Sequence, residues 1–208
     1  MIHNFEKSLQ RERNKANEAD LFYRNVFHAT EIIRYNSDNE FDMEFQRKDI
    51  DLTLTIENQK YHVSEKFRET DYGDLYVEFY SKYPHVKGWM HTGSPDIIVY
   101  FTPNFIYRII HRGLENFCLE KLFPQIPEKC FFDIHSSGKS IVREKIILNE
   151  RLIPINLIQA HNKPSTGSSW ETIGLSISFD ILEENGVKIK KYPNTKTIES
   201  EATNKTEY

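Results

Sequence analysis

Ile50-Asp51-Leu52-Thr53-Leu54-Thr55-Ile56, then Glu57-Asn58-Gln59-Lys60, then Tyr61-His62-Val63-Ser64-Glu65-Lys66-Phe67-Arg68, is the stretch that decides the fold reading. Apolar and polar residues alternate on both sides of a polar turn, the pattern of a β-hairpin with one buried face. Leu52, Leu54 and Ile56 share one face of the first strand, and Asp51, Thr53 and Thr55 share the other. In the second strand Tyr61, Val63, Glu65 and Phe67 fall together, opposite His62, Ser64, Lys66 and Arg68. Pairing these strands predicts Asp51 beside Ser64 and Lys66 on one polar surface. A carboxylate and a lysine held there can bind Mg²⁺ and position water for attack on a phosphodiester.

Upstream, helical spacing of Ala16, Ala19, Phe22 or Tyr23, Val26, Ala29 and Ile33 predicts one long helix from about Leu9 to Tyr35, closed by the polar breaker Asn36-Ser37-Asp38-Asn39. Phe41–Gln46 reads as a strand before the hairpin. Downstream, Thr70–Asp74 reads as a loop containing Gly73, Leu75–Tyr80 as β-rich, and Asp96–Phe101 as a strongly apolar strand. A helix is expected from Pro103-Asn104 to about Glu115. Ile141–Leu148, Ile153–Ile158 and Ile173–Leu182 look like strands or short segments. The expected fold is α/β, a central mixed β-sheet flanked by helices. Residues 1–182 read as a single domain, and 183–208 as a polar, loosely attached C-terminal tail.

A chain of 208 residues suffices to bury a core, and no apolar run approaches the length that spans a bilayer. No membrane partner and no signal peptide are expected. Cys118 and Cys130 are too few for a disulfide framework and suit a reducing cytoplasm. The net charge of −4 argues against coating nucleic acid by bulk charge, but leaves room for a local basic cleft.

The segments Ile50-Asp51-Leu52-Thr53-Leu54 and Val63-Ser64-Glu65-Lys66-Phe67-Arg68 resemble the acid-hairpin-(D/E)xK core of the PD-(D/E)xK nuclease superfamily. Leading helix, hairpin and later strand-helix pair follow the same α-β-β-β-α-β order. Glu65-Lys66-Phe67-Arg68, Gly73-Asp74-Leu75-Tyr76-Val77-Glu78, Gly88-Trp89 and Asp96-Ile97-Ile98-Val99-Tyr100 are similar to phage and bacterial members. The resemblance covers about residues 10–115. It implies a restriction-endonuclease-like core and an Mg²⁺-dependent (or Mn²⁺-dependent) deoxyribonuclease of phage, mobile-element or defence origin. Its partner would be DNA, and its products a 3′-hydroxyl and a 5′-phosphate. A homodimer is left open.

The copy departs from the motif. The acidic position two residues before Lys66 is Ser64, while Glu65 falls on the apolar face. Either a bulge turns Glu65 into the site, or Glu78 supplies the carboxylate from the next segment; Glu78 is favoured. The resemblance then implies Asp51 with Glu78 or Glu65 as metal ligands, and Lys66 as the group that orients water and stabilises charge on the phosphate. Glu18 on the leading helix is a further acid of this kind, with Glu31 as its competitor.

Other residues receive blander readings. Asp49 reads as a solvated turn residue and Trp89 as a core or loop anchor. Arg68 and Lys82 are candidate phosphate contacts. Pro95-Asp96 follows the lysine and so cannot be the acid that precedes the hairpin. No phosphate loop, nucleophile elbow or dinucleotide fingerprint is present. The alternative function is a catalytically inactive nuclease fold that binds nucleic acid or a partner protein, with Ser64 as its sign. In a third reading the Asp51–Lys66 pair is only a salt bridge.

Overall fold

The computed structural model describes residues 2–3, 5–164 and 167–194, with side chains described from residue 15 on. Along the chain run β1 (Ile2–His3), α1 (Phe5–Val26), β2 (Glu31–Arg34), α2 (Glu40–Arg47), β3 (Leu52–Ile56), β4 (Gln59–Phe67), β5 (Asp74–Lys82), β6 (Val86–Lys87), α3 (Trp89–Thr92), β7 (Ile97–Phe101) and β8 (Phe105–Ile110). Then follow α4 (His111–Asn116), α5 (Glu128–Ser137), β9 (Ile141–Leu148), β10 (Arg151–Asn162), β11 (Trp170–Ser178), α6 (Phe179–Glu184) and β12 (Ile189–Pro193). The class is mixed α/β, but in place of one central sheet the described residues form two six-stranded sheets.

The first sheet has the order β12-β8-β7-β4-β3-β2. The hairpin β3–β4 is antiparallel with Leu52 opposite Val63, and β7 runs parallel to β4 with Lys66 opposite Tyr100. One face of this sheet, with Leu52, Leu54, Val63, Val99 and Phe101, packs on Ala19, Tyr23 and Phe27 of α1 and its C-terminal end. The second sheet has the order β1-β10-β11-β5-β6, with β9 also on β10. Leu75 and Val77 of β5 and Leu175 and Ile177 of β11 share a core with Ile98, Tyr100, Tyr107 and Ile109 of the first sheet. The sheets therefore bury apolar surface together, and β5 of one lies near β4 of the other.

Four local expectations are corrected. The leading helix stops at Val26; His28 takes the left-handed φ of 55°, and Glu31–Arg34 becomes a strand paired with β3. Edge pairing satisfies that backbone and half-buries Ile32 against the core, which outweighs weak helix propensity in the β-branched Ile32-Ile33 pair. Phe41–Gln46 lies in helix α2, not a strand. The polar breaker before it is its N-cap, with the Asn39 side chain accepting from the Asp42 amide. Residues 105–110 form a strand where a helix was expected, because Ile106, Tyr107 and Ile109 bury against both neighbours while His111 opens the helix. The region after 183 is not a loose tail throughout. Val187 is buried, and β12 completes the first sheet beside β8; Thr195 to Tyr208 lie outside the described residues. Among the described residues no helix is long and apolar enough to cross a membrane.

A candidate acid-lysine site between the sheets

Strand parity separates the two neighbours Glu65 and Lys66. Glu65 lies on the α1 side, where its carboxylate accepts from Tyr23 Oη at 2.8 Å and from Arg34 Nη1 at 2.7 Å and Nη2 at 3.1 Å. Arg34 also donates to Asp20, at 2.7 Å from Nη2 and 3.0 Å from Nε. Every strong donor near Glu65 is thus engaged with it, and no bulge is needed to house the acid.

Lys66 lies on the opposite side, facing the second sheet. Its ammonium donates to Asp49 Oδ1 at 2.7 Å and lies 5.2 Å from the centre of the Trp89 ring. Asp49 Oδ2 accepts from the Ser64 hydroxyl at 2.7 Å. Asp49 takes φ 56°, a left-handed conformation that an aspartate tolerates better than most residues. This bend after α2 aims the carboxylate back at the sheet. Gly93 lets the next loop pass: a Cβ there would lie 3.1 Å from Asp49 Cβ and 2.7 Å from the Trp89 carbonyl oxygen.

Asp51 sits just before β3 and accepts from the Glu65 amide at 2.7 Å. Burial is the main force on its carboxyl and lifts its pKa to about 7. Lys66 and the Glu65 N–H pull downward, while Asp49 and Glu65 push upward. Glu78, on β5, is also lifted to about 7, again chiefly by burial. Lys66 and the Trp89 N–H favour its ionised form, and Asp49 opposes it. Gly88 makes room for this side chain, since a Cβ at that position would fall 2.7 Å from Glu78 Cγ. Burial works against the Lys66 charge, but Asp49, Asp51 and Glu78 together overcome it and hold the amine protonated well above its ordinary range. One ammonium, bonded to Asp49, therefore stands in the field of three carboxylates, and full ionisation leaves a surplus of negative charge in a poorly hydrated place.

Asp51 and Glu78 lie within electrostatic reach of Lys66, but its direct ion pair is with Asp49, which the sequence reading set aside as a turn residue. Its position two residues before Asp51 was the available signal. Glu65 stands apart with Arg34. Glu18 is on the exposed side of α1, in a groove with Lys15, Phe22 and Phe67, while Asp20 is the helix acid tied to the hairpin through Arg34. Glu31 is exposed and accepts from Thr55 Oγ1 at 3.2 Å. Arg68 follows Lys66 on the same side, and Lys82 at the end of β5 lies over Trp170, 5.2 Å from the ring centre. Trp89 is buried as an anchor.

Compared with protein-family models, with curated proteins and with solved structures, the chain matches none.

Proposed function

We propose that the chain is a metal-dependent endonuclease that hydrolyses DNA phosphodiester bonds by attack of water. The observation that carries this reading is the charge surplus around Lys66, where Asp51 and Glu78 each have a backbone N–H and the shared ammonium as their favourable partners. The hairpin β3–β4, the parallel strand β7 beside it and α1 across one face support a restriction-endonuclease-like core in this part of the chain.

The donor set fits the cation. Asp51 and Glu78 offer hard oxygen atoms, as Mg²⁺ or Mn²⁺ requires. Among the described residues no three His, Cys, Asp or Glu side chains form a ready-made metal cage. Mg²⁺ commonly takes only one or two carboxylates and completes its shell with water and substrate phosphate. When bound, such an ion would withdraw charge from the phosphate and favour ionisation of water. Lys66 keeps its proton and can donate to a phosphate oxygen as negative charge develops there. Asp49, itself held by the Ser64 hydroxyl, keeps the ammonium in place, and Trp89 covers it on one side. The lysine and Asp49 side chains remain 23% and 20% exposed, which leaves a route for substrate.

A second reading draws on the same pair. Lys66 already has a carboxylate partner, and Ser64 fills the slot of the missing acid, as in a fold that binds nucleic acid without cutting it. Supercoiled, linear and branched DNA incubated with Mg²⁺ or Mn²⁺ separates the two. Cleavage that disappears with EDTA and in Lys66→Ala is the expected result. A folded protein that binds DNA in EDTA yet cuts no substrate with either metal is the binding module instead.

A further inference from the structure

A second cation, Arg68, stands beyond Lys66 against residues of the second sheet. Arg68 lies two residues on, about 7 Å along the extended chain, and Tyr76 lies two residues before Glu78 on the facing strand. The Arg68 guanidinium is 5.6 Å from the Tyr76 ring centre and 5.4 Å from that of Tyr72. Tyr72 is 67% exposed, an unusual state for so large a ring. Asp74 Oδ1 is buried without a hydrogen-bond partner, and Arg68 Nη2 stands 3.7 Å away, too far to donate to it. Among the described residues the Arg68 side chain makes this ion pair and its two ring contacts, and donates no hydrogen bond.

A phosphate suits this place poorly. Asp74 lies against the guanidinium. A carboxylate beside the cation repels an anion. The pair suits a neutral, planar ligand whose edge carries N–H donors for a carboxylate and a carbonyl acceptor for a guanidinium. A guanine base has that edge: N1–H and the exocyclic amine on one side of it, O6 on the other. Adenine and cytosine bring one donor group each to the same edge, and thymine one ring N–H.

We propose that Arg68, Tyr72 and Asp74 form a pocket for an unpaired guanine base, next to the acid-lysine site in a single-stranded stretch of DNA. Asp74 accepts from the base, Arg68 donates to it, and the exposed Tyr72 ring supplies stacking surface, the means by which proteins hold unstacked bases. Arg68 is then a specificity-determining residue rather than a phosphate contact. The inference rests on the nuclease reading for its substrate class, but base binding needs neither metal nor cleavage.

The test uses the full chain in EDTA and fluorescein-labelled hexathymidylates with one central base changed to guanine, adenine or cytosine, followed by fluorescence anisotropy. The guanine oligonucleotide is expected to bind about tenfold more tightly than the others, the usual scale of a two-point base contact. Tyr72→Ala, at an exposed position, should weaken all four oligonucleotides. Asp74→Asn should abolish the guanine preference with the circular dichroism spectrum unchanged. The same preference in a ribose series supports the pocket, because the base carries it. Equal binding of all four, no binding at all, or a preference that survives Asp74→Asn overturns it. Failure here with metal-dependent cleavage of duplex plasmid intact removes the pocket alone. A guanine preference in a protein that never cuts removes the nuclease reading alone.

Discussion

Glu65 and Glu78 are two acids on facing sides of the same strand environment, and their surroundings differ in kind. Glu65 meets Tyr23 and a two-pronged Arg34, so the donors saturate the carboxylate. Glu78 meets the Trp89 N–H and shares the Lys66 ammonium with Asp49 and Asp51. A buried carboxylate clasped by a guanidinium and a phenol is a completed structural unit. A half-buried carboxylate that must share one cation is short of positive charge, and a cation from solution can supply it. Proximity to Lys66 in sequence therefore misleads, because adjacent residues on a strand face opposite ways. Saturation of hydrogen bonds marks Glu65 as a structural acid and leaves Glu78 as the proposed metal ligand.

The largest expected effect falls on the saturated side. Arg34→Met leaves Glu65 and Asp20 without their shared cation and should destabilise the fold by roughly 3 kcal/mol, measured by urea unfolding. A change below about 0.5 kcal/mol would mean that this network is no more than surface solvation.

On the other side, Glu78→Gln should weaken Mn²⁺ binding by about 10- to 100-fold, or about 1.4–2.7 kcal/mol, while Glu65→Gln leaves it within about twofold once folding is verified. Calorimetric titration decides between them. The reverse order of effects would place the metal on the α1 side of the sheet and dissolve the comparison.

A smaller effect concerns pH. The Glu78 carboxyl has a folded pKa of about 7 against an ordinary 4.5. An acid with a raised folded pKa adds stability below its unfolded pKa and loses that contribution as pH rises through about 7. In metal-free buffer Glu78→Gln should therefore match the parent near pH 4 and become the more stable protein by pH 8. The gain is about 1 kcal/mol, discounted because water reaches this half-buried group. Excess Mg²⁺ should erase the parent's disadvantage. A gap of constant size across that range would show that Glu78 does not titrate there.

The smallest effect sharpens the role of Asp49. Ser64→Ala removes one donor to its carboxylate, while Asp49 keeps the Lys66 ammonium and its 20% exposure to water, so a loss of about 0.5 kcal/mol is expected in thermal unfolding. A loss of several kcal/mol would make Ser64 a keystone of the bend at Asp49.

Much of this site was legible in the sequence because alternation is a local property. The turn beginning at Glu57 and the opposite facing of Glu65 and Lys66 follow from the two-residue period of a strand, whereas the structure shortens the turn to Glu57-Asn58, takes Gln59 and Lys60 into β4 and so sets Leu52 opposite Val63. Parity also excluded Glu65 from the lysine's surface, and arginine was the kind of partner its burial required. Asp49 was not legible, since a left-handed residue at a helix end looks like any polar turn until the chain returns beside it. The exchange of strand and helix at 31–34 and 41–46 was equally hidden. Short amphipathic segments satisfy either period, and the sheet edge chose between them.

The sequence by itself determined the hairpin, its buried face and the opposite facing of Glu65 and Lys66, because these depend on neighbours two residues apart and on one turn. Only the tertiary structure decided that a second sheet brings Glu78 to Lys66, that Gly88 and Gly93 let those loops close in, and that β12 completes the first sheet. Those contacts join segments far apart in the chain. They follow from burying two apolar sheet faces against each other, a choice made by the whole core at once and written in no single stretch of residues.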